Sequence, residues 1–326
     1  MQMREFGRTG LNVSALAFGC GRVGGLLVEG SESDQRRAFD AAIAGGITWF
    51  DTAEVYGSED ALGRLLAASK ADVNVSTKVT LDPKSHDLAG DIERQADACL
   101  RRLKRDAVTV LQVHNRIDDA GGGNSLTVAQ MTGPVLGGLT RVQNKGKTRL
   151  VGLTALGDTA SILRVMDTGA FQSAQVYYNA INPSSALAGP GMLPRGWSGQ
   201  DFGGVIATAQ KHGMGMLGIR ILDGGIIATD DRAKPVSMMA RETTEAIEQR
   251  KTNRLLAELQ RTHPEAIRNR AQFGVRFALS QATLSTAVVG IGAPGHVDQA
   301  LAAEAMGPLP QDVLDAVAGL YETDFA

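Results

Sequence analysis

Cysteine is scarce: Cys20 and Cys99 are the only two among 326 residues. They form no CxxC pair and no ligand cluster with a histidine, which argues against a disulfide framework and predicts a reduced, cytoplasmic protein. The five histidines, His86, His114, His212, His263 and His296, are scattered without HxH or HExxH spacing, so no metal site is expected. Aromatic residues make up only 5%, and the formal net charge is -2 from 33 basic and 35 acidic residues. With no Lys/Arg tract carrying interleaved aromatics, a nucleic-acid partner is not expected. No apolar run approaches the roughly 20 residues that span a bilayer. The opening MQMREFGRTG is charged and lacks the apolar core of a signal peptide, so no membrane partner is expected either.

What the chain does have is a repeating alternation. Hydrophobic residues amount to 43%, and short runs rich in Val, Ile and Leu are each followed by a helical pattern. The pairs are Ala15–Gly19 with Asp34–Ala44, Ile47–Asp51 with Glu59–Ala68, Val73–Lys78 with Asp87–Leu103, and Ala107–His114 with Val128–Lys145. Leu150–Leu153 with Thr159–Thr168, Ser173–Tyr177 with Phe202–His212, Gly215–Ile219 with a helix near Glu265–Leu279, and Thr286–Ile291 with Val297–Glu304 complete the set. Unbroken apolar runs are the mark of parallel strands covered by helices. Eight such units predict an α/β fold, a single (β/α)8 TIM barrel over residues 1–326, rather than a doubly wound open sheet, which usually has fewer strands. Arg4–Phe6 and Leu11–Ser14 flank a Gly7–Gly10 turn and predict an N-terminal β-hairpin. Gln311–Tyr321 predicts a C-terminal extra helix. Insertions at Asn182–Gln200 and Asp223–Arg250 follow strands and belong on the rim that carries active sites in such barrels.

One motif misleads. Gly19-Cys20-Gly21-Arg22-Val23-Gly24 matches GxGxxG after a strand. In a Rossmann site the glycines open a helix directly, whereas here Gly25–Ser33 intervenes, and no acid-ended strand follows at the required spacing. A flexible loop fits better, one in which the backbone at Gly21 can approach a cofactor.

The chemistry-bearing residues cluster at strand ends. Strand two ends at Asp51, strand three at Lys78 and strand four at His114, and the loop after strand two carries Tyr56. In a barrel these ends converge on one rim. Reducing a carbonyl takes a hydride and a proton. A free tyrosine titrates near ~10, and a neighbouring ammonium favours the phenolate. Lys78 can supply that charge, Asp51 can hold Lys78 protonated, and His114 can donate a hydrogen bond to the carbonyl oxygen. A lone Lys, His or Asp in such a place is usually structural. Four with complementary roles at consecutive strand ends predict a catalytic set.

These residues resemble a known family. Phe50-Asp51-Thr52-Ala53-Glu54-Val55-Tyr56-Gly57 is similar to the FDTAxxYG signature of the aldo-keto reductases, extended by Ser58-Glu59 and Leu62-Gly63. Ser76-Thr77-Lys78-Val79 and Leu111-Gln112-Val113-His114 resemble the family's lysine and histidine segments. Gly7–Ser14, Gly146–Leu153 and Gln175–Asn179 resemble its hairpin, its entry to strand five and its strand-six motif. The resemblance implies a hydride transfer between a nicotinamide dinucleotide and an aldehyde, ketone, sugar alcohol or aldose, with Tyr56 as general acid or base. It places Asp51, Thr154 and Gln175 near the nicotinamide, Ile219, Arg220, Leu222 and Gly224 along the ribose and diphosphate, and Gly290, Gly292, His296 and Gln299 around the adenosine. Two departures stand out. Thr154-Ala155 replaces the Ser-Asn pair of many relatives, and Ile219 or Arg220 stands where many carry a stacking tyrosine. The run Gly218–Gly225 is more similar to the sugar-dehydrogenase branch. No Lys or Arg occurs in Val289–His296, and His296 takes the place of a phosphate-binding arginine, which favours NAD over NADP. The resemblance implies a small-molecule carbonyl or sugar substrate and a monomer or small homo-oligomer. The alternative is a dinucleotide-binding regulatory subunit with little turnover. The loops Gly21–Glu29, Ile117–Ser125, Asn182–Gln200 and Asp223–Arg250 are expected to shape the pocket, with Asn115 and Tyr178 as further wall residues.

Overall fold

Parallel pairing governs the architecture. The computed structural model describes residues 1–69, 71–232, 240 and 242–326. Strands β1 (Met3–Glu5) and β2 (Asn12–Ser14) form the antiparallel hairpin, with Met3 opposite Ser14. Then follow β3 (Leu16–Gly19), β4 (Trp49–Asp51), β5 (Asn74–Val79), β6 (Val108–Val113), β7 (Thr148–Thr154), β8 (Ser173–Tyr177), β9 (Gly215–Ile219) and β10 (Thr286–Gly290). These eight close into a parallel barrel in the order β10-β3-β4-β5-β6-β7-β8-β9, and helices follow the strands as the alternation predicts.

Two packed regions follow from side-chain alternation along the strands. One lies between the strands and the helices, where Phe50 meets Phe18 and Phe39 at ring distances of 5.3 and 5.1 Å. The other fills the barrel floor with Phe6, Val13, Ala17, Trp49, Val110, Leu150 and Leu217. Phe6, from the hairpin turn, lies 4.6 Å from the Trp49 ring and plugs the barrel from below. Gly215 makes room for that plug, because a Cβ there would sit 2.2 Å from the Phe6 ring. With the floor closed by apolar residues, the polar strand ends are left to the opposite rim.

Several elements differ from the sequence reading. The predicted helix Val128–Lys145 is broken into Val128–Gln130, a π segment Met131–Val135 and Leu136–Asn144. Pro134 lies inside the wide turn, where its missing N–H is tolerated better than in a regular helix. The helix expected near Glu265–Leu279 is a 3-10 turn Pro264–Ile267 followed by the helix Arg270–Ser280. Asn269 divides them, its side chain accepting 3.1 Å from the Gln272 N–H as an N-cap. The insertion Asp223–Arg250 contains the turn Asp223–Gly225 and the start of an 18-residue helix, Glu245–Thr262, while 233–239 and 241 lie outside the described residues. The loop Gly21–Glu29 contains a short helix, Leu26–Glu29. The final helix spans Gln311–Tyr321 as expected. Among the described residues no helix is long and apolar enough to cross a membrane.

Candidate active site

The ends of β4, β5 and β6 are neighbours in the barrel, and they bring Asp51, Lys78 and His114 to one place. Lys78 is fully buried. Its ammonium donates to Asp51 Oδ2 at 2.8 Å and to the Thr52 carbonyl at 2.7 Å. The other Asp51 oxygen accepts from Ser76 Oγ at 2.6 Å and from Gln175 Nε2 at 2.8 Å. Ser76 in turn accepts from the Trp49 indole at 2.9 Å. The Asp51–Gln175 bond joins β4 to β8 directly across the barrel. Each buried charge is therefore paired and hydrogen-bonded, as burial at this depth demands.

Tyr56 ends a 3-10 turn, Glu54–Tyr56, that leads from β4 back over this cluster. The half-buried ring lies 4.9 Å from the Lys78 ammonium. Its hydroxyl is 3.4 Å from His114 Nε2, and the two rings meet edge to face. Arg22 Nε donates to the Tyr56 carbonyl at 3.2 Å, tying the loop after β3 to the same turn.

Protonation states follow from burial first and charge second. Burial pulls the Lys78 pKa down, but Asp51 and Tyr56 more than offset it, so the ammonium is held more tightly than in free lysine. Burial and then the Lys78 charge push His114 down to about 3, leaving a neutral imidazole. For Tyr56 the sequence predicts a lowered pKa. Here burial pushes it up, and the opposing pull of Lys78 does not reverse the direction. A low-dielectric surround penalises phenolate more than one ammonium at this distance rewards it.

Apart from Asp51 and Gly21, the positions carried over for a dinucleotide belong to β7–β10 or the segments that follow them, on the other arc of the rim. Gly21 follows β3 and faces Tyr56, so a Cβ there would sit 3.7 Å from the ring. Thr154 ends β7 opposite Gln175 of β8, and its buried hydroxyl has no hydrogen-bond partner. Ile219 ends β9. Arg220 follows with φ +60°, its carbonyl accepting from Asn179 at 3.0 Å and one buried guanidinium nitrogen unpartnered. Gly224 sits in the turn after it, also at positive φ. Leu222 turns instead toward Gly274 on the helix Arg270–Ser280. Gly290 ends β10 and Gly292 follows; both are exposed, as are His296 and Gln299 on the helix Pro294–Ala305. The loop after β3 is strapped to this side, with Leu26 N–H donating 3.2 Å to the Ile291 carbonyl. The unpartnered Thr154 hydroxyl and Arg220 nitrogen suit an amide and an anionic diphosphate respectively.

Two wall residues are committed elsewhere. Asn115 bridges loops, accepting from Leu81 N–H at 2.8 Å and donating to the Leu81 and Asn124 carbonyls at 2.8 and 2.6 Å. Tyr178 stacks on Phe277 at 5.4 Å. Sequence reasoning did not find Ser76 or the Thr52 carbonyl, although Ser76 shares the inward face of its strand with Lys78.

Residues 15–322 match the family model described as the aldo/keto reductase family. The chain is 32% identical over 163 residues to the L-galactose dehydrogenase of Arabidopsis thaliana, a match covering 48% of this chain and 49% of that protein. The chain thus spans about half the length of that curated relative. It is 26% identical over 333 residues to the pyridoxal 4-dehydrogenase of Microbacterium luteolum, covering 91% of each. An aldo-keto reductase from Bacillus halodurans, solved in a holo form, shares the fold, with a TM-score of 0.72, 19% identity, and 98% of this chain and 96% of that one covered.

Proposed function

The chain belongs to the aldo/keto reductase family, and on that premise we propose that it is an oxidoreductase moving a hydride between a nicotinamide dinucleotide and a small aldehyde, ketone or sugar. The observation that carries this reading is the convergence of four groups: an ammonium buried on Asp51, 4.9 Å from the Tyr56 ring, with His114 at 3.4 Å from the phenol.

When bound, the dinucleotide supplies or accepts the hydride. The chain's residues handle the proton and the oxygen. Tyr56 remains a neutral phenol, a donor for an oxygen that gains negative charge. Lys78, kept charged by Asp51, stabilises the phenolate left behind. Neutral His114 retains one ring N–H for the same oxygen. In the oxidative direction Tyr56 takes the proton back, assisted by the same ammonium. Thr154 and Gln175 would hold the carboxamide and Arg220 the diphosphate. The names of the curated relatives favour a sugar or an aromatic aldehyde as the substrate class.

The test is Tyr56→Phe, assayed by nicotinamide absorbance against a panel of aldoses and aldehydes with both dinucleotides. Turnover should fall by about 10²–10⁴-fold, while dinucleotide Kd stays within a few-fold of wild type. Wild-type turnover in that variant would overturn the role of Tyr56. Dinucleotide binding without turnover by the wild-type protein would favour a regulatory subunit.

A further inference from the structure

On the helix side of the barrel wall, behind Lys78, lies a charged group that the proposed chemistry does not touch. Glu59 opens the helix Glu59–Ala67 and is 1% exposed. One carboxylate oxygen accepts from Thr77 Oγ1. The other accepts from Arg102 Nε at 2.7 Å and lies 2.7 Å from Arg102 Nη2. Thr77 precedes Lys78 on β5, so alternation points Thr77 toward the helices and Lys78 into the barrel. Arg102, in the last turn of the helix Leu88–Leu103, is also 3.9 Å from Glu54. Glu54 begins the turn that ends in Tyr56. A single guanidinium thus joins the Tyr56 turn, the start of the following helix and, through Glu59, the Lys78 strand.

The close approach has a steric cause. At Gly63, one turn beyond Glu59, a Cβ would sit 2.2 Å from the Arg102 carbonyl. Only glycine lets the end of the helix Leu88–Leu103 come near enough for Arg102 to meet a carboxylate on the inner side of the helix Glu59–Ala67.

Resting on the acid–base reading of Tyr56, we propose that Glu59 is a positioning residue: with Arg102 and Thr77 it pins the Tyr56 turn to the Lys78 strand and so sets the separation of phenol and ammonium. The sign of one shift separates this role from a field effect. Removing a negative charge lowers a phenol pKa. Moving the phenol away from Lys78 raises it, because Lys78 is the main group opposing burial at Tyr56.

The experiment uses the full chain as Glu59→Gln, Glu59→Asp, Thr77→Val and Arg102→Gln, with Tyr56→Phe in parallel. Ring-carbon NMR of labelled tyrosine reads the midpoints, and Tyr56→Phe assigns one signal among the four tyrosines. In Glu59→Gln the Tyr56 midpoint should rise by about one pH unit. Turnover of 4-nitrobenzaldehyde should fall about tenfold with dinucleotide Kd unchanged, and Glu59→Asp should recover part of both. A midpoint that stays or falls overturns the proposal. Should Glu59→Gln fail to fold, Thr77→Val, which changes no charge, decides by the same rise. Full activity in Tyr56→Phe would sink the acid–base reading instead, and the NMR midpoint, which needs no turnover, would still judge Glu59.

Discussion

His114 loses its affinity for a proton because the folded chain surrounds it with buried groups and sets the Lys78 charge beside it. Its pKa falls from 6.5 to about 3, so between those values the unfolded chain binds a proton that the native state refuses. Stability from this residue is therefore whole above about 6.5 and is lost as pH falls toward about 3. The wild-type unfolding free energy should fall more steeply with acid than that of His114→Asn, by up to about 1.4 kcal/mol per pH unit. Denaturant melts at intervals across this window check it, and parallel slopes would mean that the imidazole is ordinarily protonated. Asp51, Tyr56, Lys78 and His114 were legible from sequence because a barrel sends every C-terminal strand end to one rim. The Thr77–Glu59–Arg102 contacts were not, because they depend on which face of β5 meets which helix, and Thr, Glu and Arg are too common to mark themselves.

Secondary structure was most legible where burial was complete. Strands covered on both sides leave unbroken apolar runs, and β6 and β8 fall inside the runs read for them. The helix Glu245–Thr262 escaped because most of its residues are polar and charged, while its buried face includes Lys251, Thr252, Leu255 and Leu259, a stripe too mixed to stand out. At the opposite extreme, the helix Pro294–Ala305 was legible and bears on cofactor choice. His296 sits exposed in its first turn and uses Nδ1 to accept from the Gly292 N–H at 3.2 Å, which leaves one ring N–H for a ligand. A single imidazole N–H does little for a 2′-phosphate, whereas a guanidinium offers charge-assisted, two-pronged contacts. His296→Arg should therefore raise the affinity for NADP relative to NAD by about tenfold, a gain of about 1.4 kcal/mol. Fluorescence titration of both dinucleotides measures the ratio, and an unchanged value would place the adenosine away from this helix.

At the scale of the whole molecule, the rim loops are held by a contact between residues far apart in sequence. Asp324 and Phe325 adopt left-handed backbone angles, φ 51° and 63°, a conformation that costs energy in non-glycine residues. What offsets it is burial and charge. Phe325 is buried, 6.2 Å from the Trp197 ring and 5.4 Å from the Lys251 ammonium. Lys251 itself lies 3.5 Å over Trp197, donates to the Ser198 carbonyl at 2.6 Å and pairs with Asp324 at 2.5 Å. Three segments meet here: the insertion 182–200, the helix Glu245–Thr262 and the residues after the final helix. None of this was legible in advance, because loop residues separated by more than a hundred positions carry no periodicity that links them. Phe325→Ala removes the apolar side of the contact and leaves the strained backbone without its reward. It should destabilise the protein by about 3–5 kcal/mol and release Trp197 and Ser198 to solvent. Limited proteolysis should then cut within 186–200 well below the melting temperature, where the wild-type chain resists. Equal resistance in both would show that the insertion is anchored by its own hydrogen bonds, such as Asn182 to the Gln200 carbonyl at 2.9 Å, and that the aromatic contact merely rests against it.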